Sequence, residues 1–265
     1  MELELAGRRA IVTGGSRGIG KEVARQLLAE GVDVAIVARG EDALRSAAAD
    51  LARLGGRVVP ISADTGSDAS VKAMVERAVA EFGGVDILVN SAAKPGGQAP
   101  VPSLAQITTD AFWDDMNVKV MGYLRCAREV APHMVATGWG RIINISGLAA
   151  RSAGSTIGSM RNVAVAAMTK NLADELGPKG INVTVVHPGL TRTEATEGVV
   201  AARARASGRT PEEVEAQMAQ GNSTHRIITA ADVAHIVVFL ASPLSIAING
   251  DAIAAGGGVG RAIHY

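Results

Sequence analysis

The chain of 265 residues contains one cysteine, Cys126. A lone thiol excludes an intramolecular disulfide and any metal centre built on a cysteine cluster. No His/Asp/Glu grouping has metal-ligand spacing either, so no metal is expected. Net charge is absent: 26 basic residues balance 26 acidic ones. With no field to attract a polyanion, nucleic acid is not an expected partner. No apolar run reaches the ~18 residues of a membrane span. The opening Met-Glu-Leu-Glu-Leu-Ala-Gly-Arg-Arg has no apolar signal core, so a soluble, cytoplasmic protein is expected. Composition breaks, low-complexity stretches and internal repeats are all missing, which predicts one domain over residues 1–265. Aromatic residues are scarce: three Phe, two Trp and two Tyr. Tyr123 and Tyr265 have no tyrosine between them, and no lysine lies between Lys119 and Lys170.

Apolar residues nevertheless make up 48% of the chain, enough for a large core, and a further 31 residues are glycine. A glycine-rich, aliphatic chain poor in aromatics predicts buried parallel strands under closely packed helices. Short β-branched runs end at Gly, Asn or Asp, and longer Ala/Leu/Arg/Glu stretches follow. Strands are predicted at Ala10–Thr13, Val34–Ala38, Val58–Ser62, Ile87–Asn90, Ile142–Ser146, Val183–His187 and Ala252–Ala254. Helices are predicted at Gly18–Glu30, Glu41–Leu54, Ala69–Phe82, Thr109–Thr137, Thr156–Leu176 and Ala230–Ala241, with a pair between Thr193 and Gln220. This alternation predicts an α/β fold, a doubly wound parallel sheet of Rossmann type in a single domain. The polar, Ala-rich stretch 193–223 lacks a strand. It reads as a helical insertion placed to cover substrate at the carboxyl ends of the strands.

The first strand runs into Thr13-Gly14-Gly15-Ser16-Arg17-Gly18-Ile19-Gly20-Lys21, and a helix follows. Gly14, Gly18 and Gly20 let the backbone turn tightly and approach a pyrophosphate. The helix amino terminus then offers free N–H groups and a partial positive charge to the anion. The competing explanation is a tight strand-to-helix turn with no ligand. The second strand ends in Ala38-Arg39, where an NAD-binding chain usually has an acid for the ribose 2′-hydroxyl. Arg39 and Arg17 can instead clamp a 2′-phosphate, which favours NADP over NAD. Glu41 and Asp42, close by, weigh against a phosphate there.

These motifs and their order resemble the short-chain dehydrogenase/reductase family of roughly 250-residue subunits, along nearly the whole chain. The resemblance rests on Thr13–Gly20, Asp64-Thr65, Asn90-Ser91-Ala92-Ala93, Gly140–Ser146, Pro188-Gly189 with Thr193, Asp232-Val-Ala, Asn249-Gly250 and Gly256-Gly257-Gly258. It implies that Asp64 and Thr65 flank an adenine and that Asn90, Ala92 and Ala93 line its ribose. Pro188, Gly189, Leu190 and Thr193 would hold the nicotinamide side. Ala93 stands where the family usually has glycine. A homotetramer is also implied, pairing the fourth and fifth long helices. The aliphatic face Val163–Met168 and the apolar tail Ile246–Ile263 suit such self-association.

One family feature is missing. The resemblance implies a Tyr-x-x-x-Lys acid after the fifth strand, helped by a Ser and an Asn, because hydride transfer at a carbonyl carbon obliges a proton to move at its oxygen. Gly158 falls in the Tyr slot, Asn162 in the Lys slot and Gly147 in the Ser slot, with Ser146 beside it. The Asn slot falls on Lys119, or on Asn117 if that helix is irregular. Two readings stay open. In one, Lys119 is a pocket ammonium that donates to a substrate oxygen, Asn162 holds the nicotinamide ribose and Ser146 touches substrate. In the other, Lys119 is solvated or at a subunit interface and the site is degenerate. An inward Lys119 would need Asn162, a backbone carbonyl or a ligand as partner, because an unpaired buried cation is costly. Tyr123, Tyr265, His187, Ser155, Ser159, Arg151 and Arg161 are weaker candidates. The expected function is an atypical NADP(H)-dependent oxidoreductase of a small-molecule carbonyl, alcohol or activated alkene. The alternative is a cofactor-binding but catalytically silent subunit.

Overall fold

The β-branched runs form strands and the Ala/Leu-rich runs form helices, as their side-chain periods dictate. The protein is described by a computed structural model over residues 2–93 and 101–260. The strands are β1 (Arg9–Thr13), β2 (Asp33–Ala38), β3 (Val58–Ser62), β4 (Ile87–Asn90), β5 (Gly140–Ile145), β6 (Ile181–Pro188), β7 (Thr191–Arg192), β8 (Ile228–Thr229) and β9 (Ala252–Ala255). The helices are α1 (Gly18–Ala29), α2 (Glu41–Leu51), α3 (Asp68–Phe82), α4 (Thr109–Met116), α5 (Gly122–Thr137), α6 (Thr156–Leu176), α7 (Thr196–Ser207), α8 (Pro211–Ala219) and α9 (Ala230–Ala241).

Among the described residues, seven strands form one parallel sheet in the order β3-β2-β1-β4-β5-β6-β9. The order reverses between β1 and β4, and crevices for ligands open at such switch points, outside the carboxyl ends of the strands. β6 is buried along its whole length, as a central strand covered on both faces must be. One apolar core packs α1, α2 and α9 on one face through Leu27, Leu44 and Val237. A second packs α3, α5 and α6 on the other through Met74, Val130 and Ala173.

Two features depart from the expected elements. The helix expected over Thr109–Thr137 is broken by a π-helical turn at Asn117–Met121, where the Gly122 N–H reaches the Asn117 carbonyl. Such turns insert a residue and rotate every side chain that follows. The 193–223 stretch forms α7 and α8, which share a small core of Val200, Ala204, Val214 and Met218. Its ends are closed by pairing of β7 with β8, a ladder too short to show in a hydrophobic pattern.

The amino-terminal edge of the sheet is tied by Asp86. Its carboxylate accepts from Arg9 N at 2.9 Å, Arg9 Nε at 2.7 Å and Arg9 Nη2 at 2.8 Å, joining the start of β1 to the approach to β4. Asp86 is buried and Arg9 half-buried, so removing the charge strands a guanidinium with partial access to water. Asp86→Asn is therefore expected to destabilise the fold by about 2 kcal/mol, seen as a lower urea midpoint at unchanged slope.

Candidate active site

The glycine turn is built by close approach of two chain segments. Gly14 has φ +69°, and a Cβ there would lie 2.9 Å from the Ser91 carbonyl group. A Cβ at Gly20 would lie 2.4 Å from the Gly14 oxygen. Only hydrogen fits at either position. Thr13 Oγ1 accepts from the Ser91 and Ala92 amides at 3.0 and 3.2 Å, fixing the end of β4 beside the end of β1. Arg17 is the N-cap of α1 and its side chain makes no capping bond. The N-cap side chain therefore leaves the first-turn N–H groups of α1 uncapped, with Ser16 and Ile19 half-buried around them.

The guanidiniums of Arg17 and Arg39 are exposed and make no hydrogen bond or ion pair among the described residues. Glu41 and Asp42, which weighed against a phosphate, are both held by Arg45. Asp64 is exposed and its Oδ1 accepts from the Gly66 amide at 2.9 Å. Thr65 is buried against Gly122. Asn90 is turned into the core: its Nδ2 donates to Asn144 Oδ1 at 2.9 Å and to the Tyr123 carbonyl at 3.4 Å. Only its main chain reaches the sheet edge that Ala92 also occupies. Buried Pro188 ends β6, and the Gly189 amide donates to the Ala255 carbonyl at 3.2 Å. Leu190 is exposed, and the Thr193 methyl group would lie 3.5 Å from a Cβ at Gly18. The segment after β6 thus lies against the glycine turn.

Across the same edge, Lys119, Asn162 and Ser146 meet. Lys119 is only 4% exposed. Its Nζ donates to the Ser146 carbonyl at 2.9 Å and to Asn162 Oδ1 at 3.1 Å. Ser146 Oγ donates to the Asn162 carbonyl at 3.1 Å and to Asn162 Oδ1 at 3.3 Å. Of the two orientations expected for Lys119, the inward one is found, with an amide and a backbone carbonyl as its partners. Asn117 points elsewhere, donating to the Gly66 carbonyl at 3.3 Å. The Asn162 Nδ2 lies 3.1 Å from where a Cβ at Gly147 would stand, so the missing side chain at 147 leaves the amide its space. Nδ2 itself makes no hydrogen bond among the described residues, and one Nζ–H of Lys119 remains to donate.

Burial draws the Lys119 pKa down to about 7, with the positive charge of Arg161 lowering it and Asp115 opposing. Arg161 Nη1 donates to both Asp115 oxygens, at 2.6 and 2.8 Å, so that half-buried pair faces the ammonium. His187 is buried and its Nδ1 accepts from the Gly147 amide at 3.3 Å. Burial first, then the charges of Arg151 and Lys119, draws its pKa to about 4, so it is neutral near pH 7.

The remaining candidates are structural or outside the cluster. Tyr123 is fully buried and donates to the Ile145 carbonyl at 2.9 Å, and burial pushes its pKa up. Ser155 caps α6, accepting from the Gly158 amide, and Ser159 donates to the Ser152 carbonyl. Arg151 donates to the Ala252 carbonyl at 2.8 Å. Tyr265 lies outside the described residues. Sequence reasoning missed Glu194, whose carboxylate accepts from the Gly18 amide at 3.0 Å; its place directly after Thr193 was the available signal.

Comparison with known proteins identifies the family and the fold. The family description "short chain dehydrogenase" matches residues 8–204. The short-chain reductase protein NovJ of Streptomyces niveus is 37% identical over 251 residues, covering 94% of this chain and 92% of that protein. The structure of L-sorbose reductase from Gluconobacter frateurii, complexed with NADPH and L-sorbose, superposes with TM-score 0.93 at 28% identity. That match covers 99% of this chain and 100% of the other. NAD+-bound xylitol dehydrogenase superposes with TM-score 0.87 at 25% identity, covering 96% and 100%.

The buried lysine should leave a signature in stability. Below about pH 7 the folded and unfolded chains both carry its proton. Between about pH 7 and its ordinary value of 10.5, the unfolded chain carries more protons than the folded one. Stability therefore rises with pH across that window, by at most about 1.4 kcal/mol per pH unit from this group. Urea denaturation of the wild type and Lys119→Met at several pH values should show the rise in the wild type, and its loss in the variant.

Proposed function

Because this chain belongs to the short-chain dehydrogenase/reductase family, we propose that it is an atypical NADP(H)-dependent oxidoreductase of a carbonyl/alcohol pair or an activated alkene, with Lys119 in place of the family tyrosine. The observation that carries this reading is the buried Lys119 ammonium held between Ser146 and Asn162 at the ligand edge of the sheet. An amine with a pKa of about 7 can give or take a proton near neutrality, which is what general acid–base work requires.

The glycine turn fits a nucleotide diphosphate, since no Cβ can enter at Gly14 or Gly20 and the α1 amino terminus has no side-chain cap from its N-cap residue. Gly14, Ser16, Arg17, Gly18, Ile19 and Gly20 would hold the diphosphate. Asp64, Thr65, Ala92 and the main chain of Asn90 would line the adenosine, and Pro188, Gly189, Leu190 and Thr193 the nicotinamide side. The free guanidiniums of Arg17 and Arg39 suit a 2′-phosphate, which supports NADP over NAD. The NADPH named with the sorbose reductase supports the same choice, while xylitol dehydrogenase is named with NAD+.

When bound, a nicotinamide supplies or accepts a hydride. The chain's own part is proton transfer and orientation. In reduction, Lys119 gives its proton to the substrate oxygen and regains one from solvent; in oxidation, the neutral amine takes it. Asn162 keeps Oδ1 on the ammonium and leaves Nδ2 to donate to a ribose or substrate oxygen, while Ser146 fixes the Asn162 carbonyl. The residues 193–223 stand as the substrate cover over this edge. The exposed Trp113, Met121, Met160 and Val163 along α4, the π turn and α6 support self-association, for which we propose a homotetramer. Among the described residues, no helix is long and apolar enough to cross a membrane. A cytoplasmic location is part of the same proposal.

NADPH oxidation against a panel of ketones and enones tests the activity. Lys119→Ala should lower kcat by about 100-fold or more. Wild-type carbonyl reduction should fall as pH rises through about 7, and alcohol oxidation should rise over the same range. NADPH binding without turnover on any substrate would instead identify a silent cofactor-binding subunit. For the cofactor, Arg39→Ala should weaken NADPH by about tenfold in calorimetry and leave NADH unchanged. An equal loss for both would refute the assignment of the 2′-phosphate to Arg39.

A further inference from the structure

The cradle's anion position is engaged by the protein itself. Both oxygens of Glu194 face the Gly18 amide, at 3.0 and 3.3 Å. Gly18 is the first residue of α1, where the unpaired N–H groups and the helix field favour an anion. Glu194 is exposed and lines an open cleft of about 410 Å³ with Gly18, Lys21, Arg192 and Thr193. Its carboxylate therefore has room to swing away. Thr193, the residue before it, packs over Gly18 and donates its amide to Thr196 Oγ1 at 2.9 Å, in the first turn of α7. The contact thus runs from the cradle to the head of the helical insertion.

A carboxylate and a diphosphate cannot share one amide, and they repel each other across it. We propose that Glu194 is an internal stand-in for the nucleotide diphosphate, displaced when the cofactor binds and thereby weakening cofactor affinity in exchange for holding the insertion against α1 in the free protein. This rests on the nucleotide reading above and goes further, since it assigns a residue that opposes binding. It also links the diphosphate position to the insertion through three consecutive contacts: Gly18 to Glu194, Glu194 to Thr193 through the chain, and Thr193 to Thr196.

The test is calorimetry of the wild type, Glu194→Gln and Glu194→Ala with two probes. NADPH carries the diphosphate, and adenosine 2′-monophosphate lacks it. NADPH should bind both variants about fivefold more tightly, the size of effect a carboxylate commands at an exposed helix amino terminus. Adenosine 2′-monophosphate should bind all three proteins equally. Equal or weaker NADPH binding by the variants, or an equal gain for the monophosphate, overturns the proposal. A wild type that binds neither probe overturns the nucleotide reading itself, a result distinct from an unchanged ratio. Glu194 makes only exposed contacts, so the variants should stay folded, with thermal midpoints lowered by no more than about 3 °C, which shows that affinity and not unfolding is being read.

Discussion

A single buried cation organises the candidate site. Taking an ammonium out of water costs far more than one hydrogen bond returns, so Lys119 stays charged only where several lone pairs converge on it. Two do: the Ser146 carbonyl and Asn162 Oδ1. The one Ser146 hydroxyl proton is shared between that oxygen and the Asn162 carbonyl, so three side chains and two main-chain carbonyls form one closed network. Partial repayment of the desolvation cost leaves the lysine near the point where it can exchange a proton. A fully solvated lysine would hold its proton too tightly for this work, and an unpartnered one would lose it or unfold the site.

The constraint explains several local oddities at once. The π turn at Asn117–Met121 rotates the helix so that position 119 faces the sheet edge while Asn117 faces Gly66. Gly147 leaves the space that Asn162 Nδ2 occupies. Gly158 is buried at the amino end of α6, where a Cβ would stand 2.8 Å from Ser155 Oγ, the side chain capping that helix. The π turn and the bare Gly147 accommodate the Lys119–Asn162 contact, whereas Gly158 leaves room for the Ser155 cap.

The cradle and the sheet were legible in the sequence because they depend on local rules. β-branched runs make buried strands, and glycine alone fits where two backbones meet, so the turn Thr13–Gly20 and all seven strands of the main sheet could be placed within a few residues. Lys119 and Asn162 could be named, but not the direction of Lys119. A helical wheel drawn through residues 109–137 assumes 3.6 residues per turn, and the π turn breaks that phase in the middle. Asn90 was expected at a ribose, yet its side chain is spent on Asn144 inside the core, a contact between strands that no spacing rule reports. Glu194 follows Thr193 directly, but its contact could not be read from that place because its partner lies 176 positions away in the chain.

Lysine at 119 and asparagine at 162 depend on each other. Asn162→Lys alone would set a second ammonium where Oδ1 now accepts from Lys119 at 3.1 Å. Two buried cations at that distance cannot both stay charged, and Arg161 beside them adds a third charge of the same sign. Lys119→Asn alone would remove the buried amine and leave Asn162 Oδ1 with only the Ser146 hydroxyl of its present partners. A Cβ at 147 would press on the Asn162 amide wherever that residue is kept. The arrangement of Lys119, Asn162 and Ser146 is therefore self-consistent as it stands, and each single change away from it is unfavourable.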